Sequence, residues 1–314
     1  MTMTTIDRTI SDLADAKEDL RRNNRRKGWI RARTSLIRAK WPILAMAILL
    51  VVTLAAVLGP AITPKDPNRQ NIMLRLQEPM TENRQGEVEY VLGSDGLGRD
   101  VLSRLIYGAR ISLSVGIIAV VIGGTLGTAL GLIAGYYGGK LDDVIMRVAD
   151  IQLAFPFILL AIMFLVVMGS GVLNLMLVLG VGQWVTYARM ARGQTISQRE
   201  KEYVEAARAL GARDTSILFQ TILPNILAPL TVIASFNVAS VILSEAALSF
   251  LGLGVPPTIP TWGGMLAESR DQLLAGRWYL AVFPGLAIML TVLAFNILGD
   301  WLRDFLDPRL KGAD

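Results

Sequence analysis

Apolar residues gather along this chain in six long blocks, at 41–62, 111–137, 144–168, 172–188, 226–254 and 278–298. A helix rises about 1.5 Å per residue and a bilayer's hydrocarbon core is about 30 Å thick, so about 20 apolar residues span it. Each block is therefore read as one transmembrane helix. The third and fourth are parted only by Gly169, Ser170 and Gly171, a tight turn. Pro156 in the third and Pro284 in the sixth predict kinks, because proline removes a helix hydrogen bond. Some 40 mostly polar residues precede the first block, which argues against a signal peptide. No apolar run closely follows Arg21-Arg22, so a twin-arginine signal is rejected as well.

Two of the blocks have a patterned face. Gly123, Gly127, Gly131 and Gly135 recur every four residues on one side of the second, a groove into which another helix backbone can settle. In the fifth, Asn237, Ser240 and Ser244 share a face and Glu245 follows directly. A carboxylate in a span costs roughly 2.5–3.5 kcal/mol at the bilayer centre, less toward an end. These four are read as a polar wall of a water-filled pathway, against the plainer alternative of hydrogen bonds between helices.

The polar segments divide unequally. Residues 63–110 hold 7 acidic and 7 basic residues and carry the string Gly93-Ser94-Asp95-Gly96-Leu97-Gly98-Arg99-Asp100. Val101 stands where a dinucleotide fingerprint needs its third glycine. Residues 189–225 are long for a connection and read as helix, break, helix. Helix formers fill 200–210, Gly211 suits a C-terminal cap, Asp214 is placed to cap a second short helix ending near Leu223, and Pro224 marks the return to the membrane. Ala206, Ala207 and Ala209 give a flat surface on which a protein can sit, with Glu205 and Arg208 available for charge pairing. Between the last two blocks, residues 255–277 include Pro256, Pro257, Pro260 and Trp262, which predicts a stiff, scoop-like element seated at the interface.

Charge then orients the chain. Residues 1–40 hold 11 Lys/Arg against 5 Asp/Glu, concentrated at Arg21, Arg22, Arg25, Arg26 and Lys27, whereas the remainder is nearly balanced with 20 against 21. With this tail inside, inside segments total 22 basic residues and outside segments 9, and six spans place both termini in the cytoplasm. The tail is read as topogenic and attracted to anionic lipid, not to nucleic acid. The 314 residues contain no His and no Cys, which removes disulfides, thiolate nucleophiles, Cys/His zinc sites and Ser-His triads. No metal site, catalytic residue or bound cofactor is expected. The organisation read from the sequence is a cytoplasmic tail at 1–40, a first helix at 41–62, an external segment at 63–110, a membrane core at 111–302 and a cytoplasmic end at 303–314.

Several strings resemble a known family. Glu205-Ala206-Ala207, Gly211 and Ile222-Leu223-Pro224 look like the EAA loop of ABC importer permeases. Glu202-Tyr203-Val204-Glu205-Ala206-Ala207-Arg208-Ala209-Leu210-Gly211-Ala212 resembles its dipeptide/oligopeptide branch. So do Leu92-Gly93-Ser94-Asp95, Gly98-Arg99-Asp100 and Ser103-Arg104-Leu105, the run from Ser244 to Gly254, and Trp262-Gly263, which together are similar to the second permease of such systems, the DppC/OppC type. One departure is that Ile222 stands directly before Leu223, a subfamily form of the loop.

The resemblance implies an all-α integral membrane protein with the type I ABC importer permease fold, in a prokaryotic inner or plasma membrane. It implies a second permease subunit, two cytoplasmic ATPases docked on the EAA loops, and an extracellular or periplasmic solute-binding protein. Glu205, Ala206, Ala207, Arg208, Gly211, Asp214 and Pro224 would then form the docking and coupling element. ATP and Mg would reside on the partner subunits. The chain itself lacks GxxxxGK(S/T): before Gly139-Lys140, Ala134 takes the place of the first glycine, and Leu141 that of the hydroxyl. The cargo implied is di- or oligopeptide, with nickel complexes, opines or oligosaccharides as alternatives. A secondary transporter would need more intramembrane charge than Glu245 and Asp150 supply, and an intramembrane protease lacks its residues.

Overall fold

A computed structural model of the chain describes residues 40–82 and 86–306. The basic tail and most of the C-terminal segment lie outside the described residues. Among the described residues the regular structure is helical, and pairing of extended backbone is confined to two isolated bridges, Glu82 with Val88 and Ser94 with Asp100. The helices are α1 Lys40–Ile62, α2 Val101–Tyr137, α3 Gly139–Leu153, α4 Phe157–Met168, α5 Val172–Arg199, α6 Glu202–Ala209, α7 Asp214–Phe250, α8 Trp262–Leu274 and α9 Tyr279–Leu306. Four of them, α1, α2, α7 and α9, are each long and apolar enough to cross a membrane, and α3 with α4 forms a fifth candidate bent by 88°. Large apolar side chains such as Val57, Val121, Val167 and Leu173 face outward from the bundle, as suits a lipid environment and neighbouring chains.

Predicted boundaries shift where local chemistry outweighs hydropathy. The third block is not one kinked helix. Its chain breaks at 154–156, and Pro156, which has no N–H to donate, caps α4 from outside. With 12 residues, α4 is about 18 Å long, too short to cross alone. The second helix begins at Val101, ten residues before its apolar block, because the buried Asp100 accepts N–H donation from Ser103 and starts it there. The predicted second loop helix does not end near Leu223. Asp214 is its first residue and Arg213 its cap, and the backbone passes through a π-helical stretch, Ile217–Ile222, straight into the fifth span. Pro224 falls in the first turn after that stretch, where the helical hydrogen-bond pattern changes from π to α.

The glycine face fixes the centre of the fold, and its partner is this chain's own α5. A Cβ on Gly123 would lie 2.5 Å from the carbonyl oxygen of Gly180. On Gly127 it would lie 2.2 Å from that of Trp184, on Gly131 2.4 Å from that of Ala188, and on Gly135 2.7 Å from that of Arg192. Residue numbers rise together along both helices, so α2 and α5 run parallel. The chain must therefore return across the layer between them, and the bent pair α3–α4 makes that return. With α5, which is long enough but not itself apolar enough to be a candidate span, the course of the chain is consistent with the six passes that the hydropathy blocks predict.

Candidate functional site

One end of the bundle gathers the loop between α5 and α7. Helix α6 is short, ended by Gly211, and anchored at few points. Val204 is fully buried, and Ala207 and Ala212 are half-buried against the core. Glu205, Ala206, Arg208, Ala209 and Leu210 remain exposed, Leu210 at 87%. The sequence grouped Ala206, Ala207 and Ala209 on one docking surface; Ala206 and Ala209 are exposed, whereas Ala207 is half-buried. Leu210 was read in the sequence only as a helix former; it stands just before the capping glycine and points outward. Gly211 has φ +79°. The N–H of Ala212 reaches the carbonyl of Ala207 at 3.0 Å and that of Gly211 reaches Arg208 at 3.0 Å, the paired bonds of a Schellman cap.

This loop is tied to the spans on both sides. Tyr136, near the end of α2, donates its hydroxyl to Asp214 Oδ1 at 2.7 Å. Arg199 donates to the carbonyl oxygens of Tyr136 at 2.9 Å and Gly135 at 3.3 Å. Tyr203 donates to Gln198 at 2.5 Å, and burial pushes its phenol pKa up. Asp214 thus joins the loop to α2 instead of capping a helix. Glu205 forms no ion pair among the described residues, so its charge is presented outward.

The polar residues of α7 divide into two groups. Ser240 is exposed, Ser244 is half-buried and donates to the Ser240 carbonyl at 2.9 Å, and Asn237 is half-buried with its amide nitrogen unpartnered. Glu245 does not join them on an open wall. It is fully buried, accepting from Ser249 at 2.9 Å and from Ser112 at 3.4 Å. One residue turns a helix by about 100°, which carries Glu245 off the face shared by Ser240 and Ser244 and toward α2. Ser112 also accepts from the Trp262 backbone N–H at 3.2 Å. The Trp262 ring is 2% exposed and donates to the Leu105 carbonyl at 3.0 Å. The tryptophan expected at the membrane interface instead pins α8 to α2.

At the opposite end from α6, the string 93–100 organises an ion cluster. Asp95 accepts from the backbone N–H of Leu97 at 2.9 Å and of Arg99 at 3.0 Å, and from Arg99 Nε at 2.6 Å. Arg99 Nη2 lies 2.5 Å from Glu268 Oε2, and Arg104 Nη2 lies 3.1 Å from both oxygens of Glu268. Burial pushes the Glu268 carboxyl pKa up, with Arg104 and Arg99 pulling the other way. Sequence reasoning noted the string but not the cluster, because Glu268 is 164 residues from Arg104 in the chain. Among the described residues no group of three or more acidic side chains could hold a metal ion.

A bundle with four long apolar helices and a bent apolar pair, an exposed capped helix at one end and a buried ion cluster at the other, defines a multi-pass membrane protein. The comparisons make the class specific. Residues 127–312 match the family described as the binding-protein-dependent transport system inner membrane component, and residues 28–79 match the N-terminal transmembrane domain of oligopeptide transport permease C. The Pseudomonas aeruginosa di/tripeptide transport system permease protein DppC is 40% identical over 85% of this chain and 88% of its own length. The Escherichia coli glutathione transport system permease protein GsiD is 46% identical over 73% of this chain and 76% of its own. A chain of the inward-facing MetNI methionine ABC transporter shares the fold with a TM-score of 0.54 at 19% identity, over 65% of this chain and 97% of that one.

The chain belongs to the family of binding-protein-dependent ABC transport permeases, on its DppC/OppC-type branch. It is a multi-pass protein of the bacterial inner membrane with the type I permease fold, a non-catalytic component with no cofactor of its own.

Proposed function

We propose that this chain forms half of the translocation pathway of an ATP-driven importer of di- and oligopeptides. The other half is a second permease subunit. Two cytoplasmic ABC ATPases, carrying ATP and Mg, dock on α6 and on its counterpart, and an extracellular or periplasmic binding protein delivers cargo at the α8 end. Both termini are cytoplasmic. The observation that carries this reading is α6. It is an exposed helix locked by a left-handed cap and hydrogen-bonded to α5 through Tyr203, and its flanking residues Arg199 and Asp214 are hydrogen-bonded to α2, so a push on its outer face reaches the spans. Ser240, Ser244 and Asn237 line the pathway side of α7, while Glu245 holds α8 in register with α2. The names of the two bacterial relatives, which specify a di/tripeptide and glutathione, support a short peptide as cargo.

Purification from native membrane through a tag on this chain tests the assembly. The expected preparation contains a second permease and ATPase chains. With its binding protein, it accumulates labelled alanyl-alanine in proteoliposomes only when ATP is supplied. ATP-independent transport by the chain alone overturns the reading.

A further inference from the structure

A pocket of about 520 Å³ lies between α3, α5 and α7, and no step above uses it. Helix α5 contributes Thr186, Arg189, Gly193 and Gln194, α3 contributes Leu153, and α7 contributes Ile233. Ile233, Asn237, Ser240 and Ser244 recur at i, i+4, i+7 and i+11, so they share one face of α7. The pocket therefore continues toward α6 from the polar stripe assigned above to the pathway. Arg189 donates through Nη2 to Asp150 Oδ1 at 2.6 Å, and the two side chains are 49% and 53% exposed. At about 1.5 Å per residue from Val172, Thr186 lies about 21 Å and Arg189 about 26 Å along α5, less than a hydrocarbon core about 30 Å thick. Charge exposed at that depth is expensive in lipid and belongs where it faces water or protein. Thr186, also exposed, stands one turn deeper than Arg189. The neighbouring Arg192 is engaged by both carboxylate oxygens of Asp142. Arg189 and Asp150 thus set the charge of this wall, and as a pair they cancel.

We propose that this pocket is the inner mouth of the translocation pathway, and that the Arg189–Asp150 pair keeps its wall electrically neutral so that peptides of either charge leave through it. This rests on the pathway and peptide reading above. Removing one partner leaves the other as a fixed charge beside the cargo, negative in Arg189→Gln and positive in Asp150→Asn.

The chain has no native cysteine, so Thr186→Cys reports on this pocket alone. The test follows its modification, by the mass of this chain, in inverted membrane vesicles holding the whole complex, with and without ATP. Two impermeant reagents of similar size are compared, the cationic trimethylammonioethyl and the anionic sulfonatoethyl methanethiosulfonate. Both should react at Thr186→Cys, and neither at Val121→Cys, which faces outward from α2 at 56% exposure. Relative to Thr186→Cys alone, the cation-to-anion rate ratio should rise about fivefold when Arg189→Gln is added and fall about fivefold when Asp150→Asn is added, the factor given by unit charges about 4 Å apart in water. A merely structural pair would change both rates alike and leave the ratio where it was. No reaction at Thr186→Cys in either condition overturns the mouth, as do equal rates at Val121→Cys. An unchanged ratio in either variant overturns the role of the pair. ATP-driven uptake of alanyl-alanine by the wild-type complex, supplied with binding protein, separates the two readings. Uptake without labelling sinks the mouth alone, whereas labelling without uptake sinks the peptide reading.

Discussion

Two residues carry much of the account. Gly211 occupies the left-handed region, where a residue with a Cβ costs roughly 1–2 kcal/mol. Nothing lies within 4 Å of a Cβ built there, so the cost is backbone strain and not collision. Gly211→Asn, which tolerates that region, should retain most function, and Gly211→Val should not. Uptake assays on the two variants check this. Glu245 is held by Ser112 and Ser249 inside the bundle. Glu245→Ala should lower the thermal midpoint of the detergent-solubilised complex, since each buried polar group left unpaired costs about 1–3 kcal/mol. An unchanged midpoint with impaired uptake would instead return Glu245 to the pathway. Of these two, Gly211 was legible in the sequence because a cap is a local matter. The environment of Glu245 was not, since Ser112 is 133 residues away.

The same division holds for the helices. The glycine face of α2 was legible as a packing surface, but four-residue spacing does not name the partner, and α5 is known only once the chain has returned through α3 and α4. The structure predicts a sharp contrast between neighbouring glycines. A Cβ on Gly127 meets the Trp184 carbonyl at 2.2 Å, whereas one on Gly124 meets the Tyr187 ring at 3.5 Å, an ordinary contact. Overpacking costs about 1–3 kcal/mol where side chains can yield, and the backbone of α5 cannot. Gly127→Leu should therefore yield aggregated protein by size-exclusion chromatography, while Gly124→Ala should run as wild type. The break at Pro156 was underestimated because hydropathy runs through it without interruption. Proline marks a position where the helix can bend but not by how much, and the angle between α3 and α4 is 88°.

For the whole molecule, hydropathy was enough for a multi-pass helical bundle and charge asymmetry predicts its orientation, because both respond to the bilayer and not to neighbouring chains. What they could not supply was which loops meet. The absence of native cysteine makes the orientation directly measurable. A single cysteine replacing Ala206 should react with a membrane-impermeant maleimide only from the cytoplasmic side. One replacing Gln272 should react only from the other side. The same labelling pattern for both positions would refute six alternating passes.

Coupling through α6 is the central claim. The most direct test is the ratio of alanyl-alanine accumulated to ATP hydrolysed in proteoliposomes, for wild type, Gly211→Val and Leu210→Asp. Leu210 touches no core and lies at the exposed end of the helix, so its replacement probes docking and not folding. Both variants should insert normally, and their transport per ATP should fall about 5- to 30-fold, the factor that 1–2 kcal/mol represents. Wild-type transport per ATP in both variants would contradict the account, because force from the ATPases would then be reaching the spans by another route.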